Sequence, residues 1–151
     1  MLEDPLAHRA LDALMRAETR LTRRLGSELE RRGLSATGFA MLVVLQSAGG
    51  CLELRTLRHR LNVSKANASE VTGTLESHGY VRRDRSLRDR RAVMIWITPS
   101  GEELVTDLFP EHARRVRDAF TSLDDSEKRE LARICRKLDR AAAQAAAQAA
   151  A

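Results

Sequence analysis

Cysteine is scarce: Cys51 and Cys135 are the only two in 151 residues, and neither lies at metal-ligand spacing. That excludes a disulfide framework and leaves two ordinary free thiols. Long apolar runs are missing as well. The longest, Phe39 to Leu45, is far too short to span a bilayer, so no membrane association is expected. The opening MLEDP carries acid where a signal peptide carries base, and the expected location is the cytoplasm. Catalytic groups do not gather. His8, His59, His78 and His112 are scattered among different segments, and no motif joins a nucleophile, a base and an orienting group. Neither enzyme activity nor a metal or other cofactor is expected. Most of the chain also lacks any charge excess. Cys51–Thr98 holds ten of the 26 basic and five of the 21 acidic residues, so the rest carries sixteen of each and the whole net charge of +5 falls in this third. An anionic partner is expected there.

What is present fits one water-soluble domain with a real core, 31% of its residues charged. The charge is densest in VRRDRSLRDRRAVMIWIT, residues 81–98, where Arg82, Arg83, Arg85, Arg88, Arg90 and Arg91 face two aspartates. Its surroundings read as helices. Asp4 as N-cap and Pro5 as first helical residue open a helix of about 25 residues, with Leu11, Leu14, Leu21, Leu25 and Leu29 at helical spacing until Gly33. Ser35 caps a second, with Phe39, Leu42, Val43 and Leu45 buried and Gly49 and Gly50 at its end; Cys51 and Leu52 add a brief strand. Leu54, Leu57 and Leu61 mark a short helix and LNVS a tight connection. Ala68, Val71, Thr72 and Leu75 then form the buried stripe of a helix ending at Gly79. Two short helices so joined are either a helix-turn-helix or an ordinary helical hairpin. Tyr80–Arg83 and Ala92–Ile97 read as strands, the second with Val93, Ile95 and Ile97 on one face, which makes the arginine-rich stretch the loop of a β-hairpin. Thr98 and Pro99 open a long helix with Leu104, Val105, Leu108, Val116 and Phe120 apolar and Pro110 expected to kink it. Asp124 and Glu127 look like a capping box ahead of a stripe of Leu131, Ile134 and Leu138. The tail AAAQAAAQAAA keeps helical propensity with little to bury, and no function is assigned to it.

This order of elements resembles the MarR family of winged helix-turn-helix transcription regulators, from about Leu6 to Leu138. The resemblance is carried by Leu57, Leu61, Val63, Ser64, Leu75, Glu76, Gly79 and Val81, and above all by Asp89, Arg90 and Arg91 followed by Ile97, Thr98, Pro99 and Gly101. It implies a mainly α fold with a small β-hairpin. A winged helix-turn-helix DNA-binding lobe would occupy residues 35–98, a helical dimerisation region 1–34 and 99–142, and the Ala/Gln tail 143–151. It also implies an obligate homodimer whose first and last helices interlock, set on a pseudo-palindromic operator. The residue pattern agrees in part, because Leu11, Leu14, Leu21, Leu131, Ile134 and Leu138 need a surface to bury against. Either a second copy or the protein's own lobe would supply one. The family's effector pocket lies between the dimer helices and the DNA lobe, which leaves room for a small-molecule effector whose chemistry no motif fixes.

Double-stranded DNA is the anion this arrangement suits. Its phosphates carry roughly one charge per 1.7 Å, and each one neutralised releases a counterion, so an arginine loop gains affinity that weakens with salt. Arg85 and Arg88, at the expected tip, are assigned to a minor groove or its phosphate walls, with Arg90 beside them. Period-two alternation places Asp89 and Arg91 on the face of Val93 at the hairpin base. In the resembled family this pair braces the wing, and Arg91 also contacts DNA. The family's usual Pro- and Asp-containing tip is replaced here by Arg85, Ser86, Leu87 and Arg88.

On the candidate recognition helix the outward side carries Ala66, Glu70 and Gly73, flanked by Asn67, Ser69 and Thr74, while Ser64 and Lys65 sit at its phosphate-favouring start. Asn67 suits adenine, Ala66 a thymine methyl and Glu70 a cytosine amine. Glu70 must read a base or be neutralised by a neighbouring arginine. Gly73 costs a helix interior about 1 kcal/mol relative to alanine, a cost that close approach to DNA explains. The expected function is a dimeric, sequence-specific, ligand-released repressor. Two alternatives stay open: an architectural protein coating DNA without sequence preference, and a thiol-based redox-sensing regulator acting through Cys51 or Cys135.

Overall fold

Every helix but the short third one begins where a side chain satisfies its first free amides. Asp4 Oδ1 accepts from Ala7 N at 2.9 Å, and with Pro5 in the first position α1 runs Pro5–Arg31. Ser35 Oγ accepts from Gly38 N at 2.9 Å to open α2, Ala36–Ser47. Ser64 Oγ does the same for Asn67 N at 3.1 Å and starts α4, Lys65–Ser77. Between them lie the short strand β1, Cys51–Glu53, and helix α3, Leu54–Arg60. The turn from α3 to α4 closes because Asn62 takes φ 51°, a left-handed conformation that asparagine tolerates. Strands β2, Val81–Arg85, and β3, Val93–Ile97, lead into α5, Pro99–Ala119, and α6, Asp125–Ala149.

The computed structural model describes residues 4–149. Residues 1–3 of the expected N-terminal region and 150–151 of the tail lie outside them. The chain forms two compact units, residues 1–113 and 114–151, with α5 crossing from one to the other.

The first unit holds the core. Met41, Leu42 and Leu45 of α2, Leu57 of α3, Ala68 and Leu75 of α4, and Ile95 of β3 are buried together, joined by Leu29, Leu34, Val81, Val105 and Leu108. Thr72 is the polar member. It is fully buried with its hydroxyl donating to the Ala68 carbonyl at 2.5 Å, so its polarity is satisfied within α4. Val43 and Val71, expected in the core, are only half-buried, whereas Met41 is wholly inside.

The sheet is antiparallel in the order β1-β3-β2. Strand β2 reaches further into the arginine stretch than the sequence pattern suggested: register runs from Val81 opposite Ile97 to Arg85 opposite Val93. Arg82, Arg83 and Arg85 are therefore strand residues, and Arg85 is the last rung rather than part of the tip. An edge strand accepts this because backbone pairing needs no apolar side chain, and charge on an edge discourages further pairing. The connecting loop is residues 86–92.

Within the second unit α6 opens with a reciprocal capping box, Asp124 N donating to Glu127 Oε2 and Glu127 N to Asp124 Oδ1, both at 2.9 Å. Helix α6 then continues through the Ala/Gln tail to Ala149, and none of its residues is buried. Helix α5 likewise runs through Pro110 unbroken.

The Thr98-Pro99-x-Gly101 stretch has a specific packing role. Thr98 Oγ1 donates to the Gly79 carbonyl at 2.6 Å and accepts from Gly101 N at 3.2 Å, while Thr98 N donates to the Tyr80 carbonyl at 3.0 Å. A Cβ on Gly101 would overlap the Tyr80 carbonyl oxygen and approach Ile97 Cγ1 to 2.8 Å. Gly101→Ala is expected to destabilise the fold by about 3 kcal/mol, because backbone rather than a movable side chain must yield. Denaturant unfolding measures it, and a loss under about 1 kcal/mol would show that the junction relaxes freely.

Candidate nucleic-acid interface

Helix α4 buries Ala68, Thr72 and Leu75 and thereby turns Ala66, Asn67, Ser69, Glu70 and Thr74 to solvent, with Gly73 half-buried among them. Lys65 is exposed at its first turn, where unpaired amides favour an anion. Ser64 Oγ is occupied as the cap acceptor, and Thr74 Oγ1 donates to the Glu70 carbonyl at 3.2 Å. Asn67, Glu70 and Thr74 also border a groove of about 380 Å³ against Ser35, Thr37 and Gly38.

The arginines of the hairpin divide into two sets. Arg83 lies on the side of β2 that faces α4, and its guanidinium holds Glu76 at 2.7 Å while its amide donates to the same carboxylate at 3.2 Å. Arg82 points to the opposite face, pairs with Asp84 at 2.6 Å and stands 5.7 Å over the Trp96 ring. These two are consumed within the fold. Arg85, Arg88, Arg90 and Arg91 are exposed and hold no ion pair among the described residues. Glu70 has no cation partner among them either, since the nearby arginine is committed to Glu76.

The wing loop is knitted from within. Ser86 N donates to the Ala92 carbonyl and Ala92 N to the Asp89 carbonyl, both at 2.9 Å, and Asp89 Oδ1 accepts from Arg91 N at 2.9 Å. Asp89 thus braces the turn through the Arg91 backbone rather than through its guanidinium. The two residues sit in a turn, so strand alternation does not govern them, yet both line one cleft with Val93. That cleft, about 420 Å³, is also bordered by Arg55, Arg58 and Lys65, with Glu53 as an acidic wall. Arg55 and Arg58 belong to the basic excess of Cys51–Thr98, and the sequence pattern singles out neither. Their three-residue spacing on a short helix was the available signal.

Cys51 faces Trp96 across β1 and β3, and partial burial raises its thiol pKa above the ordinary value, with Arg82 opposing the shift. A thiol held protonated at neutral pH is a poor redox sensor. Three of the four histidines have local neighbours: His8 Nδ1 lies 2.9 Å from the Asp4 carbonyl, His78 beside Tyr80, and His112 edge-on to Phe39. No helix among the described residues is long and apolar enough to cross a membrane.

A helix-turn-helix of α3 and α4 followed directly by a β2–β3 hairpin defines a winged helix-turn-helix protein. The sequence model of the MarR family matches residues 34–93. YwaE of Bacillus subtilis, described as an uncharacterized HTH-type transcriptional regulator, is 32% identical over 126 residues, covering 83% of this chain and 73% of the relative. The transcriptional repressor MprA of Escherichia coli K12 is 27% identical over 125 residues, 82% of this chain and 71% of MprA. Among solved structures, Sco3205 of Streptomyces coelicolor, a MarR family transcriptional regulator in complex with DNA, superposes with TM-score 0.87 at 24% identity, covering 93% and 90% of the two chains. The chain belongs to the MarR family of transcriptional regulators.

The Arg83 contact holds the Glu76 carboxyl below its ordinary 4.5, chiefly through the side-chain hydrogen bond. A carboxylate depressed by folding stabilises above its unfolded pKa, and that stabilisation is lost as pH falls through the folded value. The pair is more than a third exposed, so Arg83→Ala should cost under about 1 kcal/mol at pH 7 and progressively less as pH falls through the folded value. Carboxyl NMR titration of the variant should return Glu76 to about its ordinary value.

Proposed function

We propose that this regulator binds double-stranded DNA as a homodimer at a pseudo-palindromic operator, acting as a repressor that a small molecule releases. The observation that carries the DNA reading is the set of four unpaired arginines, Arg85, Arg88, Arg90 and Arg91, beside the outward face of α4. Those arginines engage phosphates and a minor groove, while Arg55, Arg58 and Lys65 line the adjoining cleft and take a further phosphate. Base reading falls to α4, with Asn67 suited to adenine and Glu70 to a cytosine amine. Glu70, unpaired and facing outward, is repelled by phosphate unless such an amine meets it.

Homodimerisation is supported by what the terminal helices leave uncovered. On α1 Leu11 is 55% exposed and Leu14 43%, with Leu21 half-buried; on α6 Leu131, Ile134 and Leu138 are all exposed. Apolar stripes of that length call for a partner surface, and a second copy offers a self-complementary one. On this reading regions 1–34 and 99–142 serve dimerisation and 35–98 serves DNA binding. For the effector, a cleft of about 380 Å³ between α2 and α5 is lined by Val43, Gln46, Ser47, Val105, Phe109 and Pro110. Its size and apolar wall suit a small, largely apolar molecule.

The Arg88→Ala, Arg91→Ala double variant should weaken operator binding and lower the slope of log affinity against log salt by about two. Unchanged affinity across the salt titration rejects the reading. Competition with random duplex separates a regulator from a DNA-coating protein, because a regulator prefers its operator by about a thousandfold or more.

Gly73 offers an independent check. An added Cβ would meet only Arg83 Nη2, at 3.9 Å, so nothing in the fold requires glycine. Gly73→Ala should therefore raise stability by up to about 1 kcal/mol while reducing operator affinity. Improved stability with undiminished binding would remove Gly73 from the contact face.

A further inference from the structure

Leu87 stands in the wing loop, two residues past the end of β2, with its side chain wholly exposed, at 103%. It has no packing role within the chain. The turn nevertheless holds it out firmly: Ser86 Oγ accepts from the amides of Arg88 at 3.2 Å and Asp89 at 3.4 Å, beneath the closure of Ser86 N on the Ala92 carbonyl. Arg85 and Arg88 flank it without ion pairs. A lone surface leucine means little. One carried on a cationic prong is different, since the arginines deliver it to a groove walled by sugars and floored by base edges.

We propose that Leu87 sets base preference in the minor groove, favouring A·T and T·A pairs under the wing tip and rejecting G·C. The proposal rests on the DNA reading above. On an A·T floor the only polar groups are acceptors, adenine N3 and thymine O2, which flanking guanidinium donors satisfy. A G·C floor adds the guanine 2-amino group, a donor that rises into the space the leucine occupies. Around it would lie only methyl groups and further donors, so covering it strips its water without supplying an acceptor. Leu87 thus converts a generally cationic wing into one with a sequence preference.

The test uses the full chain and a duplex it recovers from a random-sequence pool, footprinted to locate the wing. Base pairs under the wing are changed to G·C or to inosine·cytosine, which keeps the major-groove pattern of G·C but lacks the 2-amino group. Wild type should bind A·T and inosine·cytosine alike and G·C about tenfold more weakly. Leu87→Ala should erase most of that difference, and Leu87→Met should retain it. Should wild type bind all three alike, or Leu87→Ala keep the full preference, this proposal is overturned while DNA binding stands. Recovery of no duplex at all would overturn both.

Discussion

The carbonyl oxygen of Tyr80 is the point on which the winged lobe turns. The chain leaves α4 at Gly79, where φ of 77° lets it reverse, and Tyr80 N donates back to the Leu75 carbonyl at 2.9 Å. Across the sheet the chain returns at Thr98, whose amide and hydroxyl reach Tyr80 and Gly79, and α5 then passes so close that its third residue must be glycine. The end of the recognition helix, both ends of the hairpin and the start of α5 are fixed to one another within a few residues. Without this junction the angle of the hairpin to α4 would rest on the core packing of Val81 and Ile95, the β1–β3 pairing and the Glu76–Arg83 pair. With it, the wing and α4 hold a constant spacing.

That rigid frame explains why two of the hairpin arginines are spent and four are not. Arg83 and Arg82 alternate to opposite faces of β2, one tied to α4 and the other to Asp84 and Trp96, and both strengthen the base of the wing. Past the last rung, Asp89 gives its carboxylate to a backbone amide and neutralises no guanidinium. The loop thereby closes without quenching its own charge. Exposed ion pairs contribute little stability, so leaving Arg85, Arg88, Arg90 and Arg91 unpaired costs the fold little and keeps their charge for a partner.

Most helix boundaries were legible in the sequence, because they follow from local chemistry that sequence displays directly. Asp4-Pro5, Ser35, Ser64 and the Asp124–Glu127 box each sit where the structure puts a cap. The fold class followed from their order. The extent of β2 was hidden because its pairing is a property of the backbone opposite Val93–Ile97, while its side chains read as loop. The burial of Met41 in place of Val43 depends on which elements pack on α2, a tertiary fact with no local signature. On the candidate interface, the outward face of α4 could be read from its buried stripe, but the division of arginines into paired and unpaired could not. It required knowing which of them share a strand face with Glu76 or Asp84.

The α4 face itself is spare: Ala66, Ser69, Gly73 and Thr74 offer small side chains around Asn67 and Glu70. Such a face brings backbone close to a surface yet gains little from charge, and Glu70 is repelled by phosphate. Affinity then has to come from elsewhere, and the wing arginines together with Arg55, Arg58 and Lys65 of the adjoining cleft are where the chain's excess charge resides. On the proposed DNA reading, attraction by that periphery would be insensitive to sequence, so it would hold α4 near any duplex while Glu70 penalised every site that lacks a matching amine. On that reading a carboxylate at the centre of a cationic surface would work as a filter: the stronger the surrounding attraction, the larger the penalty a wrongly met Glu70 could impose without abolishing binding at the correct site.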